Sequence, residues 1–226
     1  MSPVTVADLR ANAIIIDGLL KLTPEIPIIS EENEPEPYAR RQNYDAVWLV
    51  DPLDGTQEFV DNSADFSVNI ALVRGQKPIL GVVYLPNTEG VYFATLGGGS
   101  FFQDIKKGYA PEKISVNIFK TNDLALRIPI SRTYYSGATQ AFIEQTFREP
   151  VTTIRGSAVK FLMIAEGSAD VYPRIGKTME WDTAAPQIII EEAGGSLLQL
   201  ESRLPLFYNK ADLSNPDFIA AGRVMG

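Results

Sequence analysis

The stretch that most constrains this 226-residue chain is W-L-V-D-P-L-D-G-T, residues 48–56. Trp48, Leu49 and Val50 read as the end of a buried strand. Two carboxylates follow, Asp51 and Asp54, around a Pro-Leu step, and then come Gly55 and the hydroxyl of Thr56. Pro52 fixes its own φ and has no N–H, which stiffens the turn and lets the Leu53 carbonyl point where the carboxylates point. Gly55 lets backbone N–H groups approach an anion closely. Hard oxygen donors on a rigid loop, beside free N–H groups, suit Mg²⁺ holding a phosphate. An Asp-Gly turn closing a strand would explain part of this. It leaves the second aspartate and Thr56 unexplained.

What the chain lacks narrows the chemistry further. It has no Cys and no His, which removes disulfides, thiolate sites and cysteine nucleophiles. Zinc hydrolase sites of the usual kind and Ser-His-Asp catalysis go with them. Hydrolysis by such a chain runs on carboxylates, hydroxyls and cation-activated water. The net charge of −8 argues against a nucleic acid polymer as partner. A small phosphorylated ligand stays compatible, because bound cations reverse the local sign. With 45% apolar and 21% charged residues the chain reads as globular. It has no apolar run long enough for a transmembrane helix. The start, Met-Ser-Pro-Val-Thr, lacks the basic and apolar regions of a signal peptide.

Taken in order, residues 2–21 predict a helix capped by Thr5, with Asp8 at its third position and Leu9, Ala13, Ile16 and Leu20 at helical spacing. Asp8 also suits a helix N-terminus on electrostatic grounds alone. Residues 27–30 predict a short strand leading to Glu31 and Glu32, and 33–43 a polar surface loop. Short β-rich runs at 67–73, 78–85, 91–95 and 100–103, punctuated by Gly and Pro-Asn, predict an antiparallel meander. From about residue 122 strands and helices alternate: strands at 126–130, 151–154, 169–173, 196–200 and 218–221, helices at 139–147, 157–166 and 182–193. Ser157 is expected to cap one of these helices and Asp182 another, which places Pro186 in or near a first turn. Gly194-Gly195 ends that last helix. The expected division is 1–122 and 123–226, with the active site between the halves.

The stretch at 48–56 resembles the signature of the inositol monophosphatase superfamily of Mg²⁺-dependent, lithium-sensitive phosphatases. The family pattern D…E-E…D-P-[I/L]-D-G-T…W-D-x-A-A is matched in order by Asp8, Glu31-Glu32, Asp51 to Thr56 and Trp181-Asp182-Thr183-Ala184-Ala185. Four separated elements in one order are far more specific than any one motif. The resemblance implies an α+β fold, a layered α/β/α/β/α sandwich of the sugar-phosphatase type. An antiparallel sheet is expected in the first half and a mixed sheet in the second. It implies that Glu31, Asp51, the Leu53 carbonyl, Asp54 and Asp182 hold two or three Mg²⁺ ions. Thr56 and Asp8 match the pair that orients the attacking water, with Glu31 helping to deprotonate it. The N–H groups of Gly55 and Thr56 would hold the phosphate. Relatives usually carry a further helical segment upstream, so the first helix is expected to be truncated, with the face around Leu9, Ile16 and Leu20 less covered.

Residues 156–185 are similar to the 3′(2′),5′-bisphosphate nucleotidase branch of that superfamily. There a Ser, a Lys three residues on and an Arg fourteen further grip the phosphate that is not cleaved. Ser157, Lys160 and Arg174 keep the spacing. The resemblance implies hydrolysis of the 3′-phosphate of 3′-phosphoadenosine 5′-phosphate to AMP, a step that disposes of a by-product of sulfate activation. It also implies a cytoplasmic enzyme, with homodimer formation and peripheral attachment to the inner membrane both allowed. The chain departs from the branch at Ser131-Arg132-Thr133-Tyr134, where many relatives have S-R-S-H. Tyr134 would then stack on the base in place of His. Two alternatives stay open: an inositol or sugar-phosphate phosphatase on the same cation site, and a catalytically idle phosphonucleotide-binding protein.

Overall fold

The computed structural model describes residues 4–132 and 137–225. Helix α1 (Val6–Leu22) starts at Thr5, whose side chain accepts from the Ala7 N–H while the Asp8 carboxylate accepts from Thr5 N at 2.8 Å. Its inward face carries Asp8, Asn12, Ile15 and Leu19. Leu9, Ala13 and Leu20 face outward. Strand β1 (Ile28–Ser30), the short helix α2 (Tyr38–Arg41), β2 (Ala46–Asp54) and the single turn α3 (Thr56–Val60) follow. Then come β3 (Ser67–Arg74), β4 (Lys77–Leu85), β5 (Gly90–Thr95), β6 (Gly99–Asp104) and β7 (Glu112–Lys113). They form one seven-stranded sheet in the order β1-β2-β3-β4-β5-β6-β7, antiparallel except for the parallel β1–β2 pair at its edge. Gly75 and Gln76 both have positive φ in the two-residue link from β3 to β4, as a primed hairpin turn requires.

The second half holds β8 (Ile118–Phe119), β9 (Arg127–Ser131), α4 (Gly137–Thr146), β10 (Val151–Arg155), α5 (Val159–Ala165) and β11 (Val171–Arg174). It ends with α6 (Glu180–Glu192), β12 (Ser196–Gln199), β13 (Phe218–Ala221) and β14 (Arg223–Val224). β9 and β10 pair in parallel, β11-β13-β12 antiparallel, and β14 joins β8 in parallel, so both strand senses occur here. Helix α6 is buried nearly all round, with Ile188, Ile189 and Ile190 fully buried, as a helix between two sheets must be. It packs on the seven-stranded sheet on one side and, with α5, against β12 and β13 on the other. With α1 outside the first sheet and α4 against β11, the layers read α/β/α/β/α. The closest approach is at Gly81 of β4, where a Cβ would lie 2.5 Å from Ile188 Cγ2 and 2.7 Å from the Ala185 carbonyl.

Three local expectations fail. Ser157 does not cap α5: the cap is Ala158, and Ser157 takes a left-handed φ of 51° to turn its hydroxyl elsewhere. Asp182 is not the cap of α6 but its third residue, its carboxylate accepting from the N–H of the true cap, Met179, at 2.8 Å. Pro186 therefore lies in the second turn, where it cannot donate to the Asp182 carbonyl. The turns α2 and α3 are also additions, too short to show a helical period.

Candidate active site

The site is built on a defect in a strand. Residues three apart on a regular strand face opposite sides. Between Asp51 and Asp54 the register of β2 against β3 slips, so that Asp51 pairs with Asn69 and Asp54 with Ser67. One extra residue on β2 forms a bulge and turns both carboxylates to the same face. The bulge is fastened by the Leu53 N–H, which donates to Asp51 Oδ1 at 3.0 Å. Ser67 and Asn69, both fully buried, approach Asp54 Oδ2 at 3.4 and 3.5 Å. These two supports have no motif of their own. Their signal is two polar residues alternating within the otherwise apolar run S-V-N-I-A-L-V.

Gly55 leaves the strand with φ 89°, and a Cβ there would lie 3.0 Å from the Asp65 carbonyl and 3.1 Å from Ser157 Cβ. Both the backbone and the space demand glycine. Thr56 follows, with its hydroxyl 3.2 Å from Asp8 Oδ1 and from the Leu53 carbonyl. Asp8 is buried behind Thr56, brought there by the polar inward face of α1. Glu31 enters from the end of β1, its N–H donating to the Val50 carbonyl at 3.1 Å. Asp182 enters from the first turn of α6.

A cavity of about 430 Å³ opens on this cluster, lined by Glu31, Asp51, Leu53, Asp54, Gly55, Thr56, Ser157, Lys160, Arg174 and Asp182. Phe161, Tyr172, Phe218, Lys177 and Thr178 complete much of the wall, and were not foreseen. Tyr134 lies outside the described residues. Ser157 Oγ sits 2.7 Å from Asp54 Oδ2 and 2.6 Å from Ser67 Oγ, so its hydroxyl serves the carboxylate cluster in this arrangement. Lys160 is buried, donating to the Ser157 carbonyl at 2.7 Å with its ammonium over the Tyr172 ring. Arg174 is buried at the end of β11 and donates to the Lys177 carbonyl at 3.3 Å.

The electrostatics are those of crowded anions. Burial, then the Asp54 charge, pushes Glu31 up to about 7. Asp51 is held well above the carboxylate range by burial and then by Asp54, Glu31 and Asp182. Asp182 is raised by burial and then chiefly by Asp54. Asp54 is thus the charge that bears on all three. Burial lowers Lys160 to about 8. Among the described residues no three acidic groups converge closely enough to chelate an ion as they stand. Asp51, Asp54 and Asp182 instead spend oxygens on the Leu53 N–H, Ser157 Oγ and the Met179 N–H. All the donors are hard oxygens, and their mutual repulsion calls for positive charge. That combination fits Mg²⁺ better than a softer metal.

A model of the inositol monophosphatase family matches residues 1–224. The 3′(2′),5′-bisphosphate nucleotidase CysQ of Escherichia coli strain K12 is 39% identical over 219 residues, covering 96% of this chain and 84% of that protein. Its counterpart in Salmonella typhimurium is 38% identical over 218 residues, with the same coverage of 96% and 84%. Among solved structures, CysQ from Bacteroides thetaiotaomicron superposes with a TM-score of 0.87 at 36% identity, over 98% of this chain and 85% of that one. An inositol monophosphatase from Thermotoga maritima superposes with a TM-score of 0.77 at 29% identity, over 96% and 78%. With the motif order, the layered fold and the carboxylate-lined cavity all in agreement, the chain belongs to the inositol monophosphatase family.

Proposed function

We propose that the chain is a Mg²⁺-dependent 3′(2′),5′-bisphosphate nucleotidase that hydrolyses the 3′-phosphate of 3′-phosphoadenosine 5′-phosphate to AMP and phosphate. The observation that carries this reading is one cavity with the acidic cluster on one wall and the buried cations Lys160 and Arg174 on another. A monophosphate gives two such cations nothing to hold, whereas a second phosphate does. The relatives named above for this activity support the same choice.

On this reading Glu31, Asp51, the Leu53 carbonyl, Asp54 and Asp182 would hold two or three Mg²⁺ ions. Bound there, Mg²⁺ neutralises the carboxylates and polarises the phosphoryl group for in-line attack. The chain's own residues do the rest. Asp8 and Thr56, already joined, orient the attacking water, and the Glu31 carboxylate receives a proton from it. The Gly55 and Thr56 N–H groups take the phosphoryl oxygens. Ser157, Lys160 and Arg174 hold the phosphate that stays. Tyr134 is proposed to stack on the base. The same reading places the enzyme in the cytoplasm and allows a homodimer. No helix among the described residues is long and apolar enough to cross a membrane. Incubation with the bisphosphate nucleotide, with and without Mg²⁺, tests the proposal. Mg²⁺-dependent release of one phosphate, leaving AMP, is expected. No release, or adenosine 3′-phosphate as the product, refutes it.

A further inference from the structure

Buried Glu180, Asn209 and Arg41 form, with half-buried Lys210, a polar cluster outside the cavity, and none of them belongs to the family pattern quoted above. Glu180 is the first residue of α6, two before Asp182, and is fully buried. Its carboxylate accepts from the N–H groups of Asn209 and Lys210 and from Lys210 Nζ at 2.6 Å. The same segment wraps the start of the helix further on. The Glu180 N–H donates to the Leu213 carbonyl, and Asn215 Nδ2 donates to the carbonyl of Met179 at 2.7 Å. Residues 209–215 thus form a collar that fixes Met179, and the Met179 N–H holds the Asp182 carboxylate.

Arg41 latches the collar to residues 36–41, which follow Glu31 in the chain. Its guanidinium donates to Asn209 Oδ1 at 2.8 Å, to the Lys210 carbonyl at 3.1 Å and to the Ala211 carbonyl at 3.4 Å. Arg41 Nε donates to the Glu36 carbonyl at 2.8 Å, and Asn209 Nδ2 returns a bond to the Arg41 carbonyl at 2.7 Å. Glu36 lies on the segment that leaves Glu31, and Asn33 on that segment is tied to Asn12 of α1. One guanidinium therefore joins the segment after Glu31 to the collar around Asp182, which come from distant parts of the chain.

We infer that Arg41 and Asn209 are positioning residues, which set the separation of Glu31 and Asp182 across the cleft and so tune cation affinity. The inference rests on the cation site proposed above. A rigid support for ligands on two separate walls spares the ions the cost of ordering them. The test is calorimetric titration of the intact protein with Mg²⁺ alone. Arg41→Met removes the latch at similar volume. Asn209→Gly removes the amide while permitting the left-handed φ of 57° at that position. Each is expected to melt cooperatively and to bind Mg²⁺ roughly ten- to a hundredfold more weakly. Arg41→Lys should recover part of the loss. The KM for the nucleotide at saturating Mg²⁺ should stay within about twofold, because neither residue lines the cavity. Variants that melt lower but bind Mg²⁺ as tightly as the wild type would overturn the inference, leaving the latch purely structural. If Arg41→Met fails to fold, Asn209→Gly decides by the same readout. A wild type that itself binds no Mg²⁺ would sink the cation site, a failure distinct from that of the latch.

Discussion

Replacing Asp54 with Asn should move stability and cation affinity in opposite directions. Its shape is kept, and an amide oxygen can still accept from Ser157 Oγ, now 2.7 Å from Asp54 Oδ2. Losing the charge in that one short bond costs about 1 kcal/mol, and the longer approaches of Ser67 and Asn69 add little. Against this stands the relief of three repulsions, on Glu31, Asp51 and Asp182. The rise of Glu31 from 4.5 to about 7 corresponds to a few kcal/mol, about 1.4 per pH unit, of which burial is the larger share. The repulsion that Asp54 exerts on Asp51 and Asp182 is relieved in the same direction. Relief outweighs the lost bond strength, so the cation-free variant should melt higher than the wild type, by about 2–4 °C for each net kcal/mol. A divalent ion loses a full charge from its cage. At an effective dielectric of about 20 two unit charges 4 Å apart interact by about 4 kcal/mol, and a divalent ion by about twice that, so Mg²⁺ affinity should fall by at least roughly three orders of magnitude. Differential scanning calorimetry without cation, Mg²⁺ titration and phosphate release read the three quantities. A variant that melts lower without cation, or that turns over near-normally at low millimolar Mg²⁺, would refute the reasoning.

Further outcomes follow from the same geometry. Glu31 has a folded pKa raised from 4.5 to about 7, so between those values the folded state holds a proton that the unfolded state has lost. Without cation, stability should therefore fall as pH rises through that window, by up to about 1.4 kcal/mol per unit for this group. Mg²⁺ affinity should rise over the same window as the proton is displaced, which melts at several pH values with and without Mg²⁺ would read. Lys160→Ala and Arg174→Ala should each raise KM for the bisphosphate nucleotide roughly ten- to a hundredfold, and leave inositol 1-phosphate nearly untouched. Equal effects on both substrates would make these residues structural. Gly81→Ala drives a methyl into Ile188 and the Ala185 carbonyl and should cost about 1–3 kcal/mol in denaturant titration. An unchanged midpoint would contradict the packing of α6 on β4.

What the sequence disclosed was local. Asp51, Asp54, Gly55 and Thr56 stand within one short stretch, and rigid Pro and permissive Gly announce a special backbone there. The meander was legible because period-two runs and hairpin glycines are written in consecutive residues. Ser157 misled because a serine before an apolar helical run looks like a cap. Its left-handed φ follows from a bond to Asp54, 103 residues away, which no local pattern encodes. The same holds for Arg41 and Asn209, 168 residues apart. In α1 the outward stripe of Leu9, Ala13 and Leu20 is the conspicuous one. The inward face is harder to see because Asp8 and Asn12 are polar and buried for the hydrogen bonds they make to Thr56, Ser30 and Asn33. Pro186 sits deeper in α6 than a sequence rule permits, since tight packing on both faces outweighs one lost helical hydrogen bond.

The most direct test of the central claim is the ratio of kcat/KM values across four substrates at fixed Mg²⁺. These are the bisphosphate nucleotide, its sulfated precursor, inositol 1-phosphate and fructose 1,6-bisphosphate. The proposed grip of Lys160 and Arg174 on a second phosphate predicts the bisphosphate nucleotide ahead of inositol 1-phosphate by roughly a hundredfold or more, two charge-assisted contacts together. Equal values for these two, or a preference for inositol 1-phosphate, would contradict the account.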